Sequence, residues 1–308
     1  MTSDRSTPGG VEREFPLARL TTVRTGGSAK FFARAGSNSK VVELLAWAQD
    51  HGLEVGVIGS GSNLLVADSG FDGLVIKLDG HLTEVVFDDA EVICGGGSRL
   101  PRVAARTAEV GLGGLEFGVN IPGTVGGAIR MNANAYGGEL AAVLEWAEVA
   151  SPDGVERRGP EDFDFSYRHS NISGRQIVTR AKFSLTPGTS EQVKQKLADL
   201  RERRHAAQPS GIKTFGSTFK NPSDDRAEGR TAGQLLEAAG CKGMAVGGAR
   251  FSPKHANFVD NFDDASTADV VALIAAGRKR VREEFGIELE TEVQVLGDVD
   301  QILWRAQS

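Results

Sequence analysis

The sequence predicts an α+β protein of three units, and three observations predict it. Strand-like and helix-like runs alternate along most of the 308 residues. That length exceeds the roughly 100 to 200 residues of one ordinary domain. The 39 glycines gather in a few loops, GSGSN, CGGGS, GLGGLEFG and IPGTVGG, instead of spreading evenly. Such clusters mark places where backbone turns with positive φ or comes close to a ligand.

The elements follow in order. From Asn38 to His51, Val41, Val42, Leu44, Leu45 and Ala48 share one helical face, and Gly52 supplies a C-terminal stop. The strand VGVIGS comes next, then the loop GSGSN, then LLVADSGFDGLVIKL, strand runs punctuated by glycine. Arg99 to Val110 reads as an amphipathic helix, and Ser190 caps a further one running through QVKQKLADLRERR. Thr231–Ala239 and Thr267–Phe285 are two more, the last stopped by Gly286 before the alternating strand IELETEVQVLG. The Pro/Gly/Ser interval HAAQPSGIKTF sets a boundary near residue 207. The expected division is therefore 1–78, 79–206 and 207–290, with the last strand, 291–308, returning to the first unit.

Composition removes several function classes. Cys94 and Cys241 have no C-x-x-C or Cys/His companion, so neither a disulfide framework nor a zinc site is indicated, and no metal is expected. The polar start MTSDRSTPGGVEREF lacks an apolar leader core, and no run approaches the ~20 apolar residues of a membrane span. A net charge of −6 opposes a nucleic-acid partner, because phosphate backbones are bound by a basic field. These features predict a soluble cytoplasmic protein in which any anionic ligand is met locally.

The stretch GSTFKNP contains Ser217-Thr218-Phe219-Lys220, which fits the S-x-x-K signature of acyl enzymes. That chemistry needs a helix, so that the lysine lies one turn above the serine. Pro222 and the strand formers Phe215, Thr218 and Phe219 predict extended backbone instead, where residues three apart point to opposite faces. The companion S-D-N and K-T-G motifs are missing. No G-x-S-x-G accompanies the five histidines, so a Ser/His/Asp triad is not supported either.

The loop Gly59-Ser60-Gly61-Ser62-Asn63 offers backbone N–H groups and two hydroxyls to a pyrophosphate, but Leu64 takes the place of the last glycine of G-x-G-x-x-G. An ordinary dinucleotide site is thereby not indicated, and taken alone the loop is equally a tight turn. A second cluster, Ile121-Pro122-Gly123-Thr124-Val125-Gly126-Gly127, makes one extended phosphate-bearing cofactor the better reading.

Seven segments in register carry a resemblance: TVRTGG from Thr22, GSGSNLLVADSGF from Gly59, GLEFGVNIPGTVGGAIRMNANAYG from Gly114, SYRHS from Ser166, GSTFKNP, AGCKGMAVGGARFSPKHANFVDN from Ala239, and LETEV from Leu289. Together the chain resembles the UDP-N-acetylenolpyruvoylglucosamine reductases, also called UDP-N-acetylmuramate dehydrogenases. The resemblance implies an FAD-binding fold of the vanillyl-alcohol-oxidase (PCMH) type in two α/β units, followed by an α/β substrate domain. It implies a reaction of peptidoglycan precursor synthesis, and hence of cell-wall biogenesis and division. NADPH reduces FAD, hydride passes to C3 of the enolpyruvyl ether of UDP-N-acetylglucosamine-enolpyruvate, and a proton arrives at C2.

By the same resemblance Ser217 is the proton donor, Arg168 the clamp on the substrate carboxylate and Glu292 their partner in charge and proton management. Chemistry agrees for the first two: an enolate can take a hydroxyl proton held in reach, and a fixed guanidinium suits a carboxylate. Periodicity alone would put Glu292 on a solvated acidic face with Glu288 and Glu290. Gly137 joins the two glycine loops as a cofactor residue, and Tyr167, Asn221, Lys242 and His255 match substrate positions. Two asparagines stand where relatives often have glycine, Asn120 before Ile121 and Asn134 in the NANAYG stretch, and both keep positive φ available. The short interval from Arg168 to Ser217 leaves little room for the covering loop of one branch, so the chain resembles the shorter branch. An FAD oxidase of the same fold and a non-catalytic nucleotide-sugar binder are the competing classes. No obligate protein partner is indicated.

Overall fold

The computed structural model describes residues 6–209, 211 and 213–300. The chain forms two compact units. One takes in the N-terminal segment to Glu14, Lys30–Ser60 and Asp72–Arg204; the other takes in Phe15–Ala29, Gly61–Phe71 and the chain from His205 onward.

The first unit holds a four-stranded and a five-stranded sheet. The former runs in the order Val11–Pro16, Ser28–Ala35, Phe71–Leu78, Glu54–Val57, with the last two strands parallel. The latter is antiparallel throughout, in the order Gly154–Arg158, Leu144–Ser151, Ile177–Ser184, Glu91–Gly95, Val85–Asp88. Helix α1 (Asn38–Asp50) buries Val41, Leu44, Leu45, Trp47 and Ala48 in one core with Phe31, Ile76, Ala150 and Ile177, and so ties the two sheets together. Ser37 caps α1 by accepting from the Lys40 N–H.

Helix α2 (Leu100–Glu109) and the short α3 (Val125–Arg130) line the core of the five-stranded sheet. The long α4 (Ser190–Ala207) buries only Val193, Leu197 and Leu200. The expected serine cap of α4 is displaced by one residue. The Thr189 hydroxyl accepts from the Gln192 N–H, while the Ser190 hydroxyl donates to Ala108 and Glu109 carbonyls at the end of α2.

The second unit packs helices α5 (Ala232–Ala238) and α6 (Thr267–Phe285) with a three-stranded antiparallel sheet, Ala245–Val246, Ala249–Phe251 and Val259–Asn261. Ser266 and Asp269 form a capping box on α6, and Gly286 ends it at φ +68°. The alternating stretch after Gly286 is regular strand only at Gln294–Leu296, which pairs in parallel with Leu64–Val66. Residues 301–308 of the expected returning strand lie outside the described residues. From Ile287 to Glu290 the alternation holds, Ile287 and Leu289 buried and Glu288 and Glu290 exposed; Thr291 and Glu292 are both half-buried, and Val293 is buried again. The N–H of Glu292 is spent on Thr218, and the Glu290 carbonyl takes the N–H of Lys220. Among the described residues no helix is long and apolar enough to cross a membrane.

Candidate functional site

In the first unit the glycine loops separate into two kinds. A Cβ on Gly59 would lie 2.6 Å from the Thr124 hydroxyl, and one on Gly126 would lie 3.0 Å from the Val178 carbonyl oxygen. These two glycines are required by protein packing. Gly123 would meet only a methyl of Ile121 at 3.9 Å, and Gly137, at φ +82°, would meet nothing within 4 Å. Gly123 and Gly137 thus leave backbone open to close approach. Thr124 caps α3 by accepting from the Gly127 N–H, and Ile121 and Pro122 lead into that turn half-buried. The Lys77 ammonium donates to the Gly59 carbonyl at 2.5 Å, and burial pushes its pKa down. Sequence reasoning missed Lys77, which sits in the apolar run LVIKL with no local signal of this contact.

Arg168 lies in a tight turn closed by an antiparallel bridge between Ser166 and His169. Its backbone has φ +57°, unusual for a long side chain. The guanidinium lies 5.0 Å from the centre of the Tyr167 ring, and Nη1 donates to Asn134 Oδ1 at 2.9 Å. The reading of Asn120 and Asn134 as residues kept for positive φ is corrected here. Neither is among the positive-φ residues; Asn132, Tyr136 and Arg168 are. Asn134 works through its side-chain amide. Asn120 does too, donating from Nδ2 to the Leu200 carbonyl at 2.7 Å, while its own carbonyl accepts from Arg204.

In the second unit the Ser217 segment is extended, with a bridge between Phe219 and Thr291. No helical turn joins Ser217 to Lys220, whose ammonium instead pairs with Glu290 at 2.6 Å. The Glu292 N–H donates to the Thr218 carbonyl at 2.8 Å, and the Lys220 N–H donates to the Glu290 carbonyl at 2.9 Å. This short ladder brings the backbones of the Ser217 and Glu292 segments together. The loop Gly61-Ser62-Asn63 joins them: Ser62 accepts from the Gly216 N–H at 2.9 Å, and Asn63 Nδ2 donates to the Glu292 carbonyl at 3.2 Å. Glu292 is half-buried where Glu288 and Glu290 are exposed, so the acidic face is not uniform. Gly61, at φ +64°, is held against Leu20 and Thr21, and Ser60 ends the first unit's part of the loop.

Three of the four positions expected to meet the substrate, Asn221, Lys242 and His255, lie at α5. Asn221 Oδ1 accepts from the Ala232 N–H at 3.1 Å. The His255 ring lies on Gly233, where a Cβ would come within 2.6 Å of its Cε1. Lys242 pairs with Glu237 at 2.6 Å. Burial lowers the His255 pKa, with Lys242 adding to the effect and Glu237 opposing it. His255 Nδ1 accepts from the Asn257 N–H at 3.2 Å, so the neutral ring carries its proton on Nε2.

Two family models match this chain. Residues 29–158 match an FAD binding domain, and residues 208–296 match the C-terminal domain of UDP-N-acetylenolpyruvoylglucosamine reductase. UDP-N-acetylenolpyruvoylglucosamine reductase 2 of Symbiobacterium thermophilum is 40% identical over 94% of this chain and 93% of its own. The reductase of Limosilactobacillus reuteri is 39% identical over 94% of this chain and 96% of its own. Among solved structures, UDP-N-acetylenolpyruvylglucosamine reductase from Thermus caldophilus superposes with a TM-score of 0.80 at 34% identity, covering 93% of this chain and 99% of that one. The α+β fold, an FAD-binding part followed by a distinct C-terminal domain, is the one those relatives share. With likeness sustained from end to end in both sequence and fold, the chain belongs to the UDP-N-acetylenolpyruvoylglucosamine reductase family.

Proposed function

We infer that the chain reduces UDP-N-acetylglucosamine-enolpyruvate to UDP-N-acetylmuramate with NADPH as reductant and FAD as cofactor, a step of peptidoglycan precursor synthesis. The observation that supports it best is the ladder setting the Ser217 segment against the Glu292 segment, on a scaffold shared along its length with reductases of that name.

The residues present fit FAD. Gly123 and Gly137 leave open backbone, and the buried Oδ1 of Asn63 has no hydrogen-bond partner among the described residues, an acceptor waiting for a donor. We propose that Gly59, Ser60, Gly61, Ser62, Asn63, Ile121, Pro122, Gly123, Thr124, Gly126, Gly127 and Gly137 form the cofactor's surroundings. Gly59, Gly61 and Gly126 act by letting the loops pack, the open glycines by direct approach. When bound, FAD supplies two-electron chemistry, accepting hydride from NADPH and delivering it to C3 of the enolpyruvyl group.

The chain's own residues do the rest. The Ser217 hydroxyl gives its proton to C2, where negative charge has developed; an enolate is basic enough to take it from a donor in hydrogen-bond reach. Arg168 binds the adjoining carboxylate and stabilises charge as it builds there, a task suited to a planar guanidinium already turned by Asn134. Glu292 is their partner in charge and proton management: as a carboxylic acid it would return a proton to the Ser217 oxygen after transfer and regain its own from solvent. Asn221, Lys242 and His255 hold the nucleotide-sugar around α5, and Tyr167 adds a ring beside Arg168. Lys242 exchanges its pairing with Glu237 for the diphosphate. The working division is FAD binding by 1–78 and 79–206, sugar binding by 207–290, and return of the C-terminal stretch. A cytoplasmic location follows from a reaction that consumes NADPH and a nucleotide-sugar.

The test is spectroscopic. NADPH added anaerobically bleaches the bound flavin, and the UDP-enolpyruvyl sugar restores its colour without oxygen. Colour that returns only with oxygen would mark an oxidase, and protein that stays colourless after incubation with FAD would mark a binding module.

A further inference from the structure

The Ser217 segment is held as a strand without having a strand on both sides. On one side it meets the Glu290–Glu292 backbone. On the other, Thr214 bridges Asp260 and Gly216 is bonded to Ser62, but the Thr218–Phe219 backbone itself meets Asn257, buried at 4% exposure. The Asn257 carbonyl accepts from the Thr218 N–H at 2.8 Å. Its side chain then turns on Phe219: Oδ1 accepts the Phe219 N–H at 2.9 Å and Nδ2 donates to the Phe219 carbonyl at 2.9 Å. A primary amide presents a donor and an acceptor in one plane, as a peptide unit does, so this side chain satisfies both backbone groups of Phe219.

We infer that Asn257 is a positioning residue for proton delivery: its side-chain amide stands in for the missing strand and fixes the backbone that carries the Ser217 hydroxyl. The inference rests on Ser217 being the proton donor. A serine hydroxyl is a weak acid whose effectiveness lies in placement, and a displacement near 1 Å can slow a reaction about 10²-fold. Neither Asp nor Leu can replace the amide. Aspartate keeps an acceptor for the Phe219 N–H but sets a second oxygen against the Phe219 carbonyl, and leucine offers neither group. Asn257 also ties the segment to the sugar-directed cluster, because its N–H donates to His255 Nδ1.

The experiment compares Asn257→Leu, Asn257→Asp and Ser217→Ala as FAD-loaded enzymes by anaerobic stopped flow. Flavin reduction by NADPH is expected to stay within about twofold of wild type. Reoxidation by the UDP-enolpyruvyl sugar should slow about tenfold in Asn257→Asp and about 10²-fold in Asn257→Leu, with a larger effect of D2O on that step and little change in KM. A merely structural residue would lower the melting temperature and leave the partition between half-reactions unmoved, which overturns the inference. If Ser217→Ala reoxidises at the normal rate, the proton-donor assignment fails and the inference falls with it. A slow Ser217→Ala beside normal Asn257 variants sinks only the inference. Should the leucine variant not retain flavin, the aspartate variant decides. Wild-type amide exchange is a further check, with slow exchange expected at Thr218 and Phe219, and rapid exchange at both contradicting the clamp.

Discussion

Arg168 donates from Nη1 to Asn134 Oδ1 at 2.9 Å while its own backbone is held at φ +57°. A left-handed conformation costs a long side chain about 1–2 kcal/mol, and it persists because the Ser166–His169 bridge closes the turn around it. The guanidinium is thus aimed by the backbone and steadied by the Asn134 amide, beside the Tyr167 ring. Asn134→Ala removes the second constraint alone. Reoxidation of the flavin by the enolpyruvyl sugar should slow about tenfold, and Arg168→Lys should slow it about 10²-fold, both with reduction by NADPH unchanged. Stopped-flow traces of the two half-reactions check this; equal slowing of both would remove Asn134 from the assigned role.

The glycines divide into a testable pair. Gly61→Ala places a Cβ 2.0 Å from the Leu20 carbonyl oxygen at φ +64°, and a loss of more than about 2 kcal/mol is expected. Gly123→Ala meets nothing closer than 3.9 Å. Its melting temperature should match wild type while its flavin dissociates more readily. Thermal unfolding and flavin release on dilution separate the two effects, and a Gly123→Ala protein that keeps its flavin as tightly would put that loop outside the cofactor's reach.

Elements whose start and stop are coded locally were legible. Helix α6 runs from Thr267 to Phe285, as Ser266 and Gly286 dictate. The start of α4 moved by one residue because Ser190 had a competing partner in Ala108, distant in sequence. The strand expected over IELETEVQVLG shortened because its first half pairs with the Ser217 segment in only a brief ladder. The same held at the site. The matched motifs named Ser217, Arg168 and Glu292, but not Asn257 or Lys77, whose work appears only when distant segments meet. Asparagine can serve a backbone through its tolerance of positive φ or through its amide, and only the fold shows which.

His255 gives a pH dependence whose sign is fixed. Burial holds its folded-state pKa below 6.5, its ordinary value, so the unfolded chain binds the extra proton and stability rises with pH across the interval between the two. The contribution is present above about pH 6.5 and is lost as pH falls through the folded value. Protonation of Nδ1 also removes the acceptor for the Asn257 N–H. The melting temperature of His255→Gln should therefore change less with pH below 6.5 than that of wild type. Identical pH profiles would show that His255 titrates as it does in the unfolded chain.

Asn120 separates the two uses of asparagine by experiment. If positive φ were the reason for the residue, Asn120→Gly would be neutral or stabilising, since glycine reaches that region freely. The residue instead ends the turn Glu116–Asn120 without positive φ, buried at 4% exposure, with Nδ2 bonded to the Leu200 carbonyl of α4. Removing the amide loses one bond to a carbonyl that keeps its own helical donor, at about 0.5–1.5 kcal/mol, and glycine adds about 0.5–1 kcal/mol through backbone freedom in the unfolded chain. Asn120→Gly should thus lower the urea midpoint more than Asn120→Ala, and both should fall below wild type. A glycine variant as stable as wild type would mean that the bond to α4 contributes nothing and that backbone geometry decides this position after all.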